Sequence, residues 1–244
     1  MTRKKLKTIG ILGGMGPEAG AYLLERIIHE TAAERDQDHP PIIVYSLPQV
    51  PDRTEAILHG GPSPVPALRR GLRTLERAGA DFAVMSCISA HYFYPRIAPR
   101  SRLPLLSLID ETLAAVKKMR PVPGTIGLVA TSGTVRSGIV ARAFEAAGIA
   151  VIVPSARDQK RIMAAIYGKR GVKAGFTEGP AREAVLEIAA GLVRRGAQAI
   201  MAGCTEVPLV LRAADLPVPL VEPMTIGARA AIRRAGARLR GANS

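Results

Sequence analysis

The chain repeats itself at a fixed offset, and that repeat limits the fold more than any other feature. Shifted by 117 residues, Thr8-Ile9-Gly10 falls on Thr125-Ile126-Gly127, and Gly16 falls on Gly133. The same shift lays Arg77, Gly79, Ala80 and Cys87 on Arg194, Gly196, Ala197 and Cys204. One offset serving separate regions is the mark of a duplicated unit. It predicts two similar α/β halves facing each other about a pseudo-twofold axis. Cys87 and Cys204, the two cysteines of the chain, then look at one another across the cleft.

Within each half, apolar runs alternate with longer amphipathic stretches, the pattern of parallel βαβ units. Strands are predicted at Thr8–Gly13, Ile42–Leu47, Phe82–Ser86 and Leu105–Ser107, then at Ile126–Ala130, Ala150–Pro154, Ala199–Ala202 and Val218–Val221. Helical patterns occupy Ala19–Arg35, Pro66–Ala78, Asp110–Met119, Gly138–Ala147, Asp158–Tyr167, Pro180–Arg194 and Thr225–Arg240. Arg120-Pro121-Val122-Pro123-Gly124 cannot continue a helix and reads as the crossover between halves. A strand and a helix follow the second cysteine, so the C-terminus is expected to return to the first half. Residues 1–120 plus about 218–244 would form one half and 121–217 the other. In such open parallel sheets, ligands bind outside the carboxyl ends of the strands, where both cysteines fall.

Composition narrows the function. At 244 residues and 48% hydrophobic content the chain can bury a large core, yet no run approaches the ~20 apolar residues of a membrane span. The basic start Met1-Thr2-Arg3-Lys4-Lys5 lacks the apolar region and cleavage pattern of a signal peptide, which predicts a cytoplasmic protein. There, two cysteines are not expected to form a structural disulfide. They are too few for a structural zinc site, and His29, His39, His59 and His91 lack ligand spacing, so no metal is expected. The net charge of +14 invites acidic partners. Nucleic acid is not expected: the basic residues are dispersed, and five Tyr and four Phe offer little for base stacking.

Four loops carry candidate chemistry. Gly13-Gly14-Met15-Gly16-Pro17 follows a strand and opens a helix, whose backbone N–H groups suit a small carboxylate. Its likeness to a dinucleotide fingerprint lacks the acidic residue at the end of the next strand, which reads Tyr45-Ser46-Leu47-Pro48. Cys87 stands where a strand ends and a helix is expected to start, a setting that favours the thiolate, and Cys204 is its second copy. A lone buried cysteine is usually inert; the repeated position argues otherwise. His91 either polarises Cys87 from one helical turn away or is a structural histidine. After Cys204, Thr205 offers a hydroxyl, and Glu206 is either a proton acceptor and ammonium anchor or a plain helix-start carboxylate. Arg53, beside Asp52 on the loop after the second strand, is a natural fork for a carboxylate. Thr131-Ser132-Gly133-Thr134 is the repeat counterpart of the first glycine turn, with hydroxyls for the same anion.

These strings, Ile9–Gly16, Pro51-Asp-Arg-Thr54, Cys87-x-x-Ala-His91, Ala130-Thr-x-Gly-Thr134 and Gly203-Cys-Thr-Glu206, resemble the aspartate/glutamate racemase family in order and over nearly the whole chain. Glu206 after Cys-Thr resembles the aspartate branch; glutamate racemases carry a histidine there. The resemblance implies a pseudo-symmetric two-domain fold, frequent homodimers, and racemisation without PLP or any other cofactor. It implies Cys87 and Cys204 as the acid/base pair and Arg53 as the holder of a substrate carboxylate. Met15, Asp52, Ser89, Thr131, Thr205 and Glu206 would line the site, and Arg161 falls where the family often carries Lys or Arg. One departure stands out: the family has Asn-Thr after the first cysteine, and this chain has Ile88-Ser89. The expected substrate is an acidic amino acid, aspartate or glutamate. The alternatives are the same two cysteines acting on another amino acid, a hydantoin or maleate, and a non-catalytic binder of an acidic ligand.

Overall fold

A computed structural model describes residues 5–241; the first four residues of the basic N-terminal tract lie outside them. The first half carries β1 (Ile9–Gly13), α1 (Pro17–Glu30), β2 (Ile42–Ser46), α2 (Arg53–Leu58), α3 (Val65–Arg77), β3 (Phe82–Met85), α4 (Tyr94–Ile97), β4 (Leu105–Leu106) and α5 (Leu108–Val116). The second carries β5 (Thr125–Val129), α6 (Ser132–Ser137), α7 (Ile139–Glu145), β6 (Ala150–Ile152), α8 (Ala156–Tyr167), α9 (Pro180–Arg194), β7 (Ala199–Ala202), β8 (Leu220–Val221) and α10 (Pro223–Ala235). The strands form two four-stranded sheets ordered β2-β1-β3-β4 and β6-β5-β7-β8, with every pairing parallel. All eight predicted strands are present. Helices α2, α4 and α6, of six, four and six residues, were not anticipated, because such short pieces show no amphipathic period.

The duplication extends to register. Ile9 pairs with Phe82 in the first sheet, and their counterparts Ile126 and Ala199 pair in the second. Each central strand is apolar on both faces, as a parallel sheet covered on both sides requires. Ile9, Ile11, Phe82 and Val84 point into the same core as Ile126, Leu128, Ala199 and Met201. Helices α1, α5, α7 and α10 complete that shared core through Leu23, Ile27, Ile109, Phe144, Met224 and Ile232. The opposite faces are covered separately: α3 on Leu12, Ala83 and Met85, and α8 and α9 on Val129, Ile200 and Ala202.

β8 is hydrogen-bonded to β7 in the second sheet. It is α10 that packs on α1 and α5.

The repeated residues away from the cysteines turn out to be one packing solution used twice. Helices α3 and α9 each end at a glycine of positive φ, Gly79 at +93° and Gly196 at +95°. The following amide closes a Schellman-type bond, Ala80 N–H to the Leu75 carbonyl and Ala197 N–H to the Leu192 carbonyl, at 3.0 and 3.1 Å. That reversal presses the helix end onto the first strand of its half. A Cβ on Gly10 would lie 3.0 Å from Ala80 Cβ, and one on Gly127 would lie 3.2 Å from Ala197 Cβ. Gly79→Ala and Gly196→Ala should each lower stability by about 1 kcal/mol, the cost of holding a non-glycine residue in the left-handed region. Chemical denaturation checks this; two unchanged midpoints would show that the turns relax without strain.

Candidate active site

The carboxyl ends of the strands from both sheets converge on one small chamber, with about 10 Å³ of free space. The first half supplies Met15 after β1, Arg53 after β2, and Cys87, Ile88 and Ser89 after β3. The second supplies Thr131 after β5 and Gly203, Cys204, Thr205 and Glu206 after β7. Both thiols are free and buried. The chamber adjoins a pocket of about 530 Å³ lined by Gly14, Gly16, Pro48, Asp52 and Gly175, with Arg53, Tyr167, Lys173 and Glu206 common to both.

Glu206 organises the second half of the chamber. Its Oε1 accepts the Gly16 N–H at 3.2 Å and pairs with the Lys173 ammonium. Its Oε2 accepts the Cys204 thiol at 2.9 Å and the Thr205 hydroxyl at 3.2 Å. Burial alone would raise the carboxyl's pKa, but Lys173, the Cys204 thiol and the Gly16 amide outweigh it and hold Glu206 below the usual carboxylate range. Lys173 is the converse: burial would lower its pKa, yet Glu206 raises it, so the pair is ionised. Cys204 is pushed well up, first by burial and then by the Glu206 charge. It is a thiol near neutrality. The physical reason is local. Neither cysteine precedes an α-helix; each is followed by a short 3₁₀ segment, Ser89–Phe93 and Val207–Leu209, with little dipole to offer. The glycine turn likewise already serves a carboxylate, that of Glu206.

Cys87 has different company. Its Sγ lies 3.3 Å from Ser89 Oγ, and the Arg53 guanidinium faces it. Burial lowers the pKa of Arg53, but Cys87 and Asp52 more than compensate, keeping the cation charged. Arg53 is not a free fork. Nη1 donates to the Val50 and Pro51 carbonyls and Nη2 to that of Met15, each at 3.2 Å. Its Nε is buried without a partner. His91 is structural: Nε2 accepts the Leu108 N–H at 3.0 Å, so Nδ1 carries the proton and donates to the Cys87 carbonyl at 2.8 Å. Burial lowers its pKa and keeps it neutral.

Asp52 caps α2, accepting the Glu55 N–H at 2.9 Å, and receives the Tyr167 hydroxyl at 3.2 Å across the mouth. The hydroxyls of Thr131 and Thr134 are 3.3 Å apart in the chamber wall. Arg161 is not brought to the site: on α8 it pairs with Asp158 and Glu187 beside a separate surface pocket. The second half's cation in the chamber is instead Lys173, on the 3₁₀ segment Val172–Ala174. Sequence reasoning missed it because residues 168–179 carry no period that would direct Lys173 inward, and it missed Tyr167 at the end of α8 as well. Among the described residues, no group of three or more His, Cys, Asp or Glu is placed to hold a metal, and no helix is long and apolar enough to cross a membrane.

A family model described as Asp/Glu/hydantoin racemase matches residues 12–231, spanning both cysteine loops. The chain belongs to this family. This racemase, an isomerase, is similar throughout to the aspartate racemase of Picrophilus torridus, at 32% identity over 96% of both chains and a TM-score of 0.86. It is 25% identical over 221 residues to the broad specificity amino-acid racemase RacX of Bacillus subtilis (strain 168), covering 88% of this chain and 92% of that one. A glutamate racemase of Francisella tularensis shares the fold, with a TM-score of 0.66 at 16% identity over 93% of this racemase and 80% of that chain.

Lys173→Met in this racemase should leave Glu206 as a buried charge without its cation, costing roughly 3 kcal/mol at pH 7. Because the wild-type carboxyl titrates below its unfolded value, its stabilisation is present above the unfolded pKa and lost as pH falls through the folded one. The gap between wild type and variant should therefore shrink on acidification. Denaturant titrations at pH 7 and at about pH 3, below the unfolded carboxyl range, measure it, and a gap that widens at the acid end would contradict the ionised pair.

Proposed function

We propose that the chain racemises an acidic amino acid, aspartate foremost, by a two-thiol mechanism without PLP. The observation carrying this reading is the pair of repeat-equivalent cysteines in one buried chamber that also holds the cations Arg53 and Lys173. The likeness to an aspartate racemase over nearly the full chain supports the substrate class. Two cations suit a substrate with two carboxylates, and neutralising the α-carboxylate lowers the cost of forming a carbanion at Cα.

In this scheme one sulfur enters as thiolate and takes the Cα proton, forming an S–H bond as the C–H electron pair stays on carbon. The opposing S–H then gives its proton to the other face of the planar carbon, and the two sulfurs have exchanged roles. In this reading Cys204, hydrogen-bonded to Glu206, acts as the proton donor, and Cys87, which Arg53 faces, takes the Cα proton. Glu206 is positioned to receive and return the Cys204 proton when the direction reverses. Ile88 leaves the wall beside Cys87 apolar where the family carries an amide, so the main chain and Ser89 are left to meet the substrate's polar groups there.

Incubation of aspartate in deuterium oxide, followed by chiral chromatography and mass spectrometry, tests the scheme. Deuterium should appear at Cα together with the opposite enantiomer. Cys87→Ala and Cys204→Ala should each abolish racemisation, and a single variant that retains near wild-type rates would sink the two-thiol mechanism.

Arg53→Ala separates acidic from neutral substrates. If its remaining N–H groups bind a side-chain carboxylate, aspartate should lose roughly 10–100-fold in kcat/KM, the scale of charge-assisted hydrogen bonds. Neutral amino acids should lose little. Equal losses for both would mean that Arg53 holds the α-carboxylate or only the Met15 and Val50 loops.

A further inference from the structure

We propose that the outer face of the first half carries a second ligand site, a groove for an oligophosphate, distinct from the racemase chamber. Two adjoining pockets, about 520 and 280 Å³, run between α3 and the segment from α4 to Arg102, and Arg69 and Arg100 line both. Arg73, Arg96 and Arg102 complete a set of five guanidiniums around one concavity, with Glu76 as its single acidic lining residue. Among the described residues none of the five makes an ion pair. Arg69 uses Nη2 on the Arg96 carbonyl, and its Nε is buried without a partner.

Like charges gathered in a concavity repel unless an anion neutralises them, and guanidinium forks match phosphate oxygens in geometry. A single carboxylate offsets one charge of five, whereas a chain of phosphates places several within one groove. The concave shape favours a compact ligand over a duplex, which needs an extended basic surface. A second copy of a chain with net charge +14 is a poor complement.

The site is separate from the chamber but continuous with it along the chain. Arg96 and Arg100 follow the 3₁₀ segment Ser89–Phe93, which holds Ser89 and His91 against Cys87.

Calorimetric titration of the full chain with sodium tripolyphosphate provides the test. Saturable one-to-one binding is expected, weakening with added salt and exceeding that of orthophosphate. The double variant Arg100→Gln/Arg102→Gln, exposed positions outside the catalytic machinery, should weaken it by about tenfold or more while racemisation stays unchanged. The control Arg233→Gln/Arg234→Gln, on α10, should bind as wild type. Absence of saturable binding, or equal loss in the control pair, would overturn the proposal by reducing the effect to net charge. So would duplex DNA that binds and is not displaced by tripolyphosphate, since the groove would then be part of a nucleic-acid surface.

Discussion

A carboxylate removed from water must recover its solvation from fixed donors, and Glu206 recovers it from both halves of the molecule. Lys173, Thr205 and Cys204 come from the second half, and the Gly16 amide from the first. The loop after β1 and the loop after β7 are therefore fastened across the chamber, and the two thiols are enclosed between them. Burial first, and this carboxylate second, push the Cys204 thiol up.

The duplication makes a frame with twofold character, and divergence at single positions makes its centre asymmetric. Ser89 and Glu206 are repeat equivalents two residues beyond their cysteines, and each side chain meets its cysteine's sulfur. One is neutral and the other charged. Ile88 and Thr205 are likewise equivalent; Ile88 is 1% exposed and belongs to the core shared by the sheets, whereas Thr205 turns its hydroxyl to Glu206. An amide at position 88 would have to be accommodated at the edge of that apolar core. The two sulfurs therefore sit in unlike surroundings, one beside a carboxylate and the other faced by a cation.

Much of this was legible in the chain. The 117-residue offset specified two halves, and apolar runs specified eight parallel strands. The matched glycines and alanines mark the halves as copies; that they serve a close helix-end contact, Gly10 on Ala80 and Gly127 on Ala197, is a feature of the folded chain. The cysteines, Met15, Arg53, Ser89, Thr131, Thr205 and Glu206 were readable because each sits at the end of a strand, and parallel sheets bring those ends together.

Other features belong to the tertiary structure alone. Arg161 and Lys173 are both basic residues of the second half, and local sequence does not distinguish them. Position decides: Arg161 lies on a face of α8 directed to Asp158 and Glu187, while the irregular segment after α8 carries Lys173 back to Glu206. His91 reads equally well as a polarising or a structural group until Leu108 is found donating to it from another element. The charge on Cys204 depends on burial and on a carboxylate two residues away whose own charge depends on a distant lysine. Period and spacing determine which residues arrive at the chamber. Which of them are charged there is decided by long-range neighbours and exclusion of water, and neither is encoded in local sequence.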